Sequence, residues 1–415
     1  MAEIFPFQPY RYTSKAGVPL EHLVTQPYDK ISPAMRERYL GLSPYNLVRI
    51  ILGKPMPEDN DSNNVYTRGA AHLRNWIEQG VLAREAEPSF YAYFQEFTDL
   101  DSGERLTRRG FIGLGQVVDY AQGVVHRHEQ TLSGPKKDRL HVLSQTHAHF
   151  GQIFMLYPDP RAAIDKILDT AAQRPADVEV ADEYDAVHRL WRISDPATVS
   201  EMQRLMADKK LVIADGHHRY ETALNLATES GMVDAQRVMM TFVNMHSPGL
   251  RILATHRLVK DLEPFHADEM LTGLRKLGRL SPMDLSMFKS RFTKYEDGKI
   301  LVGVALPRED RIQLIEAERQ AGDLDVRFLH DRILGGVLGI SEEAVREEKY
   351  LKYVRGIDSA LAEVRAGKAQ VGFLLQPTRI EEVAGVSFSG GVMPQKSTDF
   401  YPKLLSGLTI YKLER

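Results

Sequence analysis

Cysteine is absent from all 415 residues of the chain. Disulfide bonds, thiolate nucleophiles and cysteine-ligated metal sites are therefore excluded. Long apolar runs are missing too, because no segment approaches the roughly 18–20 residues needed to span a bilayer. The first residues show no basic stretch followed by an apolar one, so no signal peptide is evident. We expect a cytoplasmic protein without a membrane partner.

An excess of charge of one sign is also missing. The formal net charge is −3 and the pI is near 6.6, which argues against broad electrostatic capture of nucleic acid. Hydrophobic residues make up 43% of the chain and charged residues 26%, as in an ordinary globular protein with a buried core. We expect small-molecule partners and no nucleic acid, while the oligomeric state stays open.

The order of predicted elements favours a mixed α/β fold of the α+β class. Between residues 197 and 245 a helix, a strand, a second helix and a second strand follow one another, which is typical of such a core. Residues 90–97 and 106–117 flank a turn and predict a β-hairpin. We divide the chain into a core over 1–247, a helical or mixed subdomain over 248–340 and a C-terminal segment over 341–415.

The densest polar motif lies where a predicted strand meets a predicted helix. The apolar run 211–214 predicts a buried strand, and the apolar spacing of residues 220–227 predicts an amphipathic helix ending at Gly231. A helix N-terminus beside a glycine and an arginine is suited to binding an anion. The alternative is a turn that Asp215 caps. The residues of this turn are Asp215, Gly216, His217, His218 and Arg219.

A second polar cluster spans residues 126–140, with Lys136 and Arg139 beside a Gly134-Pro135 pair. We expect this pair to break any helix here and therefore predict a polar loop. Such a loop is either an anion clamp or a solvated surface, since Arg and Lys side chains suit phosphoryl oxygens.

Histidine pairs suggest a different chemistry. His126 with His128, and His147 with His149, are spaced to share one face of a strand. With Asp or Glu, such pairs are able to hold zinc or another divalent metal. A magnesium ion that bridges phosphates and a single carboxylate is a separate alternative.

Two further segments carry candidate groups. Near the C-terminus, Lys396, Ser397 and Thr398 precede Lys403 in a turn-like stretch that is suited to phosphate but lacks the P-loop pattern. Near the N-terminus, Asp29 follows Pro27-Tyr28, and we expect apolar and aromatic neighbours to raise the pKa of its carboxyl towards the range of a general base.

Several ordered motifs resemble those of the DUF1015 family and extend over essentially the whole chain. They are TQPYDKIS, SPYNLVRIILGK, RRGFIGL, HEQTLSGPKKDRL, RLWRI, IADGHHRYETAL and MPQKSTDFYPKL. The resemblance implies a ParB/sulfiredoxin-like core with an additional subdomain and a C-terminal segment that returns to the core. The GHHRYETA stretch is similar to the GERRxRA phosphate turn of that fold. Histidines follow the glycine here and Thr222 replaces the later arginine, so only Gly216 and Arg219 transfer.

The resemblance extends to kinases of the same fold that phosphorylate free L-serine, some with ADP or ATP and others with pyrophosphate. It implies phosphoryl transfer to a small hydroxy amino acid. We expect Mg²⁺ to take part, the residues Gly216, His217, His218 and Arg219 to bind the transferred group, and Asp29 to accept the proton of the hydroxyl. Glu129 is the alternative base or metal ligand, and with His128 it is a candidate for substrate binding. The residues expected to hold the donor are Asp215, Lys136, Arg139, Lys396, Ser397, Thr398 and Lys403.

Two other functions remain open from sequence. A ParB-like nucleotide-binding or DNA-partition protein would need a basic recognition helix and a strongly cationic face. A metal-dependent hydrolase would be built on the histidine pairs.

Overall fold

The computed structural model describes residues 2–100, 102–129, 133–320 and 322–414. The chain divides into two units: unit 1 is Met1–Leu250 with Pro402–Arg415, and unit 2 is Arg251–Tyr401. The predicted boundary after residue 340 lies inside unit 2, because strands on both sides of it belong to one sheet. Of the C-terminal segment, only the part from Pro402 onward belongs to unit 1. The predicted α+β class is confirmed.

The strands of unit 1 before residue 250 are β1 (Ile4–Phe5), β2 (Tyr10–Tyr12), β3 (Leu82–Arg84), β4 (Phe90–Thr98), β5 (Arg105–Gln116), β6 (Val125–His126), β7 (Ala148–His149), β8 (Ile153–Tyr157), β9 (Val178–Ala181), β10 (Val187–Ile193), β11 (Leu211–Asp215) and β12 (Arg237–Asn244). Nine of them form one sheet with the order β6-β11-β8-β12-β5-β4-β10-β9, and β1 pairs with β5. The predicted hairpin is β4 and β5, which pair antiparallel. The C-terminal strand Tyr411–Lys412 pairs with β7.

The helices of unit 1 are α1 (Pro33–Leu42), α2 (Val48–Ile51), α3 (Val65–Glu78), α4 (Ser133–Thr146), α5 (Ala163–Ala171), α6 (Pro196–Met206) and α7 (His217–Ser230). Apolar side chains of α5, α6 and α7 pack with inward residues of the sheet, such as Met155 and Ile213, into one core. The predicted helix stop is confirmed, because Gly231 adopts the left-handed conformation directly after α7. The α7 N-terminus is therefore held against the sheet at the end of β11.

The prediction that Gly134-Pro135 breaks any helix is wrong, because both residues lie in the first turn of α4. The first N–H groups of a helix have no partner within it, so a proline there removes no hydrogen bond. The charged residues 136–139 therefore lie on a helix rather than in a loop.

The strands of unit 2 are β13 (Arg251–Ile252), β14 (Thr255–Val259), β15 (Arg279–Met283), β16 (Lys299–Ala305), β17 (Ile312–Glu318), β18 (Leu351–Arg355), β19 (Val371–Leu375) and β20 (Phe400–Tyr401). Six of them form a sheet with the order β15-β17-β16-β19-β14-β18. The helices are α8 (Ala267–Arg275), α9 (Leu285–Phe292), α10 (Asp325–Arg327), a π-helix (Phe328–Gly335), α11 (Glu342–Arg346), α12 (Ile357–Arg365) and α13 (Ile380–Phe388).

Unit 2 has an apolar core on each face of its sheet. One contains Leu274, Ile333 and Val345 from the helices α8, π and α11, and the other contains Phe288 and Leu361 from α9 and α12. In both units together, none of the described helices is long and apolar enough to cross a membrane.

Candidate functional site

The site is built on the turn between β11 and α7. Gly216 adopts φ 97° and ψ 26°, a left-handed conformation that glycine reaches without strain. No side chain caps the helix at this position. The carboxylate of the preceding residue, Asp215, is bound by Lys403, with 3.0 Å between Nζ and Oδ2. The N–H groups at the start of α7 thus lie beside a carboxylate that is held by a cation.

Asp215 is surrounded by positive charge. The guanidinium of Arg219 lies 3.7 Å from its other oxygen, and Lys30 is within electrostatic reach. Although burial opposes the shift, the attraction of Lys403, Arg219 and Lys30 holds the pKa of the Asp215 carboxyl well below its usual range. Asp215 is therefore ionised at neutral pH.

Arg219 folds back over its own turn. Its Nη1 donates a 2.5 Å hydrogen bond to the carbonyl of Gln152. A side-chain carbon added at Gly216 would lie 3.0 Å from Nη2, and one added at Gly151 would lie 3.1 Å from Nη1. Two glycines therefore leave the space that this guanidinium fills.

A buried network holds the backbone at Lys403. Gln95 Nε2 donates a 2.8 Å hydrogen bond to the Lys403 carbonyl. Arg108 Nε donates to Gln95 Oε1 at 3.0 Å, and its Nη2 donates to the Pro402 carbonyl at 2.5 Å. Arg108 is 1% exposed, and burial lowers the pKa of its guanidinium to about 10, while Tyr93 and Asp215 oppose the shift. Sequence reasoning missed Arg108 and Gln95, although Arg108 opens the RRGFIGL motif.

His217 and His128 form a buried pair under the turn. Their ring centroids are 4.7 Å apart in a T-shaped arrangement. The His128 Nδ1 lies 2.8 Å from the carbonyl of Ile213, so Nδ1 carries the proton because a carbonyl only accepts. Burial lowers the pKa of His128 to about 4 and that of His217 well below its ordinary value. Both rings are neutral at neutral pH.

This burial predicts a pH dependence of stability. The pKa of His128 is about 4 in the folded chain and about 6.5 when unfolded, so the unfolded state binds more protons between these values. The contribution of His128 to the free energy of unfolding should be fully present above pH 6.5. It should decrease as the pH falls towards 4, by at most about 3 kcal/mol. His128→Gln, whose amide is able to donate to Ile213, should flatten that part of the curve, measured by urea unfolding. An unchanged slope in the variant would contradict the assignment.

His218 faces a mixed group of charges. Burial lowers the pKa of His218; Glu221 and Asp29 oppose this shift, while Lys136 and Arg219 add to it. Glu221, one turn along α7, forms an ion pair with Lys136 and lies 3.8 Å from Arg127. Sequence reasoning missed Glu221, which lies within the GHHRYETA stretch. The structure therefore brings Lys136, His218 and Asp29 towards the same turn.

Asp29 differs from its predicted setting. Its side chain is 38% exposed and its carboxylate lies 3.6 Å from the Lys30 ammonium, so the expected apolar surroundings are not found. Lys30, which sequence reasoning missed, thus contacts Asp29 and acts on Asp215. Glu129 is half-buried and directly precedes residues 130–132, which lie outside the described part of the chain.

Arg139 is more constrained than expected. It is 8% exposed, pairs with Asp138, donates to the Ile51 carbonyl at 2.9 Å and lies 3.9 Å above the Tyr28 ring. The solvated-loop alternative does not hold for this residue. Arg139 and Tyr28 both line a cleft beside Arg219.

The first cleft lies beside Arg219 and is open to solvent, with about 540 Å³ of space between and in front of its walls. Arg139 and Arg219 provide its positive charge, and Tyr28 and Ser406 also line it. Apolar side chains form much of the remaining wall. They are Pro27, Ile51, Val142, Leu143, Ala148 and Phe150.

Lys396, Ser397 and Thr398 belong to unit 2. There the buried Arg257 donates to the carbonyl of Lys396 at 2.9 Å, and Lys396 adopts φ 58°. Ser397 donates to the Pro394 carbonyl at 2.5 Å. Their proposed contact with the donor stays a prediction.

The histidine pairs do not form a metal cage. Within the described ranges, no group of three or more His, Asp or Glu side chains is arranged to hold a metal ion. His126 Nε2 lies 3.1 Å from the Gly123 carbonyl, and the His149 ring stacks on Tyr411. The described residues therefore do not provide the metal ligands that the hydrolase alternative needs.

Comparison with known families gives a match over most of the chain. Residues 4–329 fit the model of a family described as protein of unknown function, DUF1015. The chain belongs to the DUF1015 family. The match covers the glycine turn, α4 and the residues around Asp29, so the family resemblance of these motifs is confirmed. No curated protein matches this DUF1015 member in sequence.

Several solved structures are similar to this DUF1015 member at low identity. A free serine kinase in complex with AMP is 13% identical, with 70% of this chain and 88% of that chain covered and a TM-score of 0.37. A conserved hypothetical protein from Pyrococcus furiosus is 12% identical, with 68% and 91% covered and a TM-score of 0.34. SbnI with a C-terminal truncation, from Staphylococcus aureus, is 11% identical, with 72% and 87% covered and a TM-score of 0.34. Scores this low assign no function to the present chain.

Proposed function

We propose that the chain is a phosphotransferase that converts free L-serine, a small hydroxy amino acid, to O-phospho-L-serine. The observation that carries this proposal is the excess of positive charge at the Gly216 turn. Four cations act on Asp215: Lys30, Arg108, Arg219 and Lys403. The carboxylates of Asp215 and of Asp29, which lies beside Lys30, do not balance these four positive charges. A ligand with several negative charges therefore fits there.

Phosphoryl transfer suits such a site because it depends on positioning and on stabilising charge. The N–H groups at the start of α7 and the Arg219 fork would bind the transferred phosphoryl group. Lys403, Lys136 and Arg139 would balance the remaining charge of the donor. His217 is buried, so we assign it a structural role in the turn rather than a contact with the phosphoryl group.

Asp29 is the proposed general base. Its carboxylate is partly exposed and lies near enough to His218 to affect its protonation. It would accept the proton of the serine hydroxyl while the hydroxyl oxygen bonds to phosphorus. The bond from that phosphorus to the bridging oxygen of the donor then breaks, and phosphate, AMP or ADP leaves according to the donor.

Magnesium fits this site through one carboxylate rather than a protein cage. Asp29 offers an accessible carboxylate oxygen, since its side chain is 38% exposed and contacts one cation, whereas the oxygens of Asp215 face two, Lys403 and Arg219. When bound, the ion would neutralise charge on the donor phosphates. Asp29 would then be shared between the metal and the hydroxyl, with Glu129 as the alternative partner for one of them.

The donor is pyrophosphate or a nucleotide, ADP or ATP. Both make the same demand on the cations of the turn. The apolar wall of the first cleft, including Val142 and Phe150, additionally offers a surface on which a base is able to pack. Comparing the activity with each donor therefore distinguishes pyrophosphate from a nucleotide.

The test is incubation of the purified protein with L-serine, Mg²⁺ and, separately, pyrophosphate, ADP and ATP. We expect phosphoserine, identified by mass spectrometry, with at least one donor and none without L-serine. Omitting the metal should remove most of the product. Absence of phosphoserine with all three donors would end the kinase assignment.

A further inference from the structure

Unit 1 contains a second cleft, of about 620 Å³, which shares no lining residue with the first. Val24, Leu42 and Leu405 give it an apolar surface. The remaining lining residues are mostly polar or charged, and they come from α1, from the segment before it and from residues 181–183. The phosphotransfer chemistry above uses none of them.

One carboxylate in this cleft is held in place by hydrogen bonds and is able to accept further ones. Glu183 accepts hydrogen bonds from the Tyr39 hydroxyl and, at 3.3 Å, from Gln26 Nε2. Its neighbour Asp182 is already occupied by two backbone N–H groups, Gln26 and His188. Glu21 adds a second, exposed carboxylate. Two carboxylates with spare acceptor capacity favour a ligand that carries an ammonium group.

A buried hydroxyl in the cleft points independently to a ligand. Thr25 lines the cleft and is 1% exposed. Its backbone N–H and carbonyl are both bonded to Ser406, but its Oγ1 has no hydrogen-bond partner among the described residues. Burying a hydroxyl without a partner costs free energy, so a polar ligand group beside it would be stabilised.

One cation in the same cleft forms no ion pair with a described carboxylate. Arg38 lines the cleft from α1 and its side chain is exposed. Within the residues that the structure describes it takes part in no ion pair, in contrast to Arg36, which lies 3.9 Å from Glu37. A guanidinium fork of this kind is suited to a carboxylate.

We propose that the second cleft binds a free aliphatic α-amino acid. Glu183 would hold the ammonium group, Arg38 the carboxylate, and Thr25 would supply a hydrogen bond to one of them. The aliphatic side chain would pack on Val24, Leu42 and Leu405. This site goes beyond the phosphotransferase and does not depend on it, because no residue is shared with the glycine turn or the first cleft.

The probe is L-leucine, which has no hydroxyl and so is not an acceptor for phosphoryl transfer. Isothermal titration calorimetry of the full chain should show saturable one-to-one binding of L-leucine. Isoamylamine lacks the carboxylate and 4-methylpentanoate lacks the ammonium group, so both should bind at least about tenfold more weakly. Absence of L-leucine binding, or equal binding of either analogue, would overturn the proposal.

Two variants locate the site. Glu183→Gln and the isosteric Thr25→Val should each weaken L-leucine binding about tenfold or more. Glu179→Gln changes an exposed carboxylate outside the cleft, and Arg219→Ala changes the first cleft, so both should bind as the wild type does. Folding of each variant is checked by circular dichroism. Wild-type affinity in a folded Thr25→Val protein would place the ligand elsewhere and overturn the assignment.

Discussion

Arg219→Ala should lower kcat/KM for phosphorylation of L-serine by on the order of 100- to 1000-fold. The guanidinium of Arg219 is held in position at the turn, since its Nη1 donates to the Gln152 carbonyl and its Nη2 lies beside Asp215. Its loss removes a preorganised cation from the point where negative charge is transferred. Steady-state kinetics with the preferred donor measure the effect, and the fall should appear in kcat as well as in KM.

The matched control is Arg204→Ala. Arg204 is an arginine on the exposed surface of α6, paired only with Glu201 among the described residues, and its loss should leave the kinetics unchanged. Arg219→Lys separates charge from geometry: an ammonium keeps the charge but cannot form the two-pronged contact, so activity should stay well below the wild type. Full phosphotransfer by a folded Arg219→Ala protein would remove the turn from the site.

Local sequence pattern was sufficient to predict the turn. An apolar run of four residues before Asp215 and helical spacing after Arg219 gave a strand, a glycine and a helix in that order, and the structure has them as β11, Gly216 and α7. These elements depend on periodicity and on the special conformations of glycine, both of which are properties of neighbouring residues. The anion-binding character of a helix N-terminus follows from the same local order.

The partners of the turn were beyond such reasoning. Lys403 meets Asp215 across 188 positions of sequence, and Gln95 holds Lys403 across 308. Such contacts are set by the order of strands in the sheet and by the return of the C-terminal segment to unit 1. Arg108 was missed for the same reason, because a buried arginine on a strand is visible only when its neighbours are known.

Two predictions from the sequence were wrong for a more local reason. Pro135 was treated as a helix breaker, whereas in the first turn of α4 a proline has no hydrogen bond to remove. Asp29 was placed among apolar groups because its sequence neighbours are apolar and aromatic, but in the short helical turn Tyr28–Lys30 its side chain is 38% exposed and lies 3.6 Å from the Lys30 ammonium. Sequence neighbours are therefore poor evidence of a carboxyl's environment.

Gly216→Ala should combine a modest loss of stability with a large loss of activity. At φ 97° an alanine is strained, at a cost of roughly 1–2 kcal/mol. Its Cβ would also lie 3.0 Å from Arg219 Nη2 and 3.1 Å from the central guanidinium carbon. The guanidinium has to shift by a few tenths of an ångström, which disturbs its position beside Asp215, so we expect phosphotransfer to fall well below the wild-type level. Urea unfolding and steady-state kinetics on the same sample measure the two effects.

Gly231→Ala is the control that separates backbone strain from the clash with Arg219. Gly231 ends the same helix at φ 64°, and an added Cβ there meets nothing within 4 Å among the described residues. Both substitutions should therefore destabilise the protein by about 1 kcal/mol or somewhat more, while only Gly216→Ala loses activity. Equal activity in the two variants would show that the approach of Arg219 to Gly216 is not needed for catalysis. A selective loss at Gly216 would place the chemistry at the N-terminus of α7, since the rest of that helix is common to both proteins.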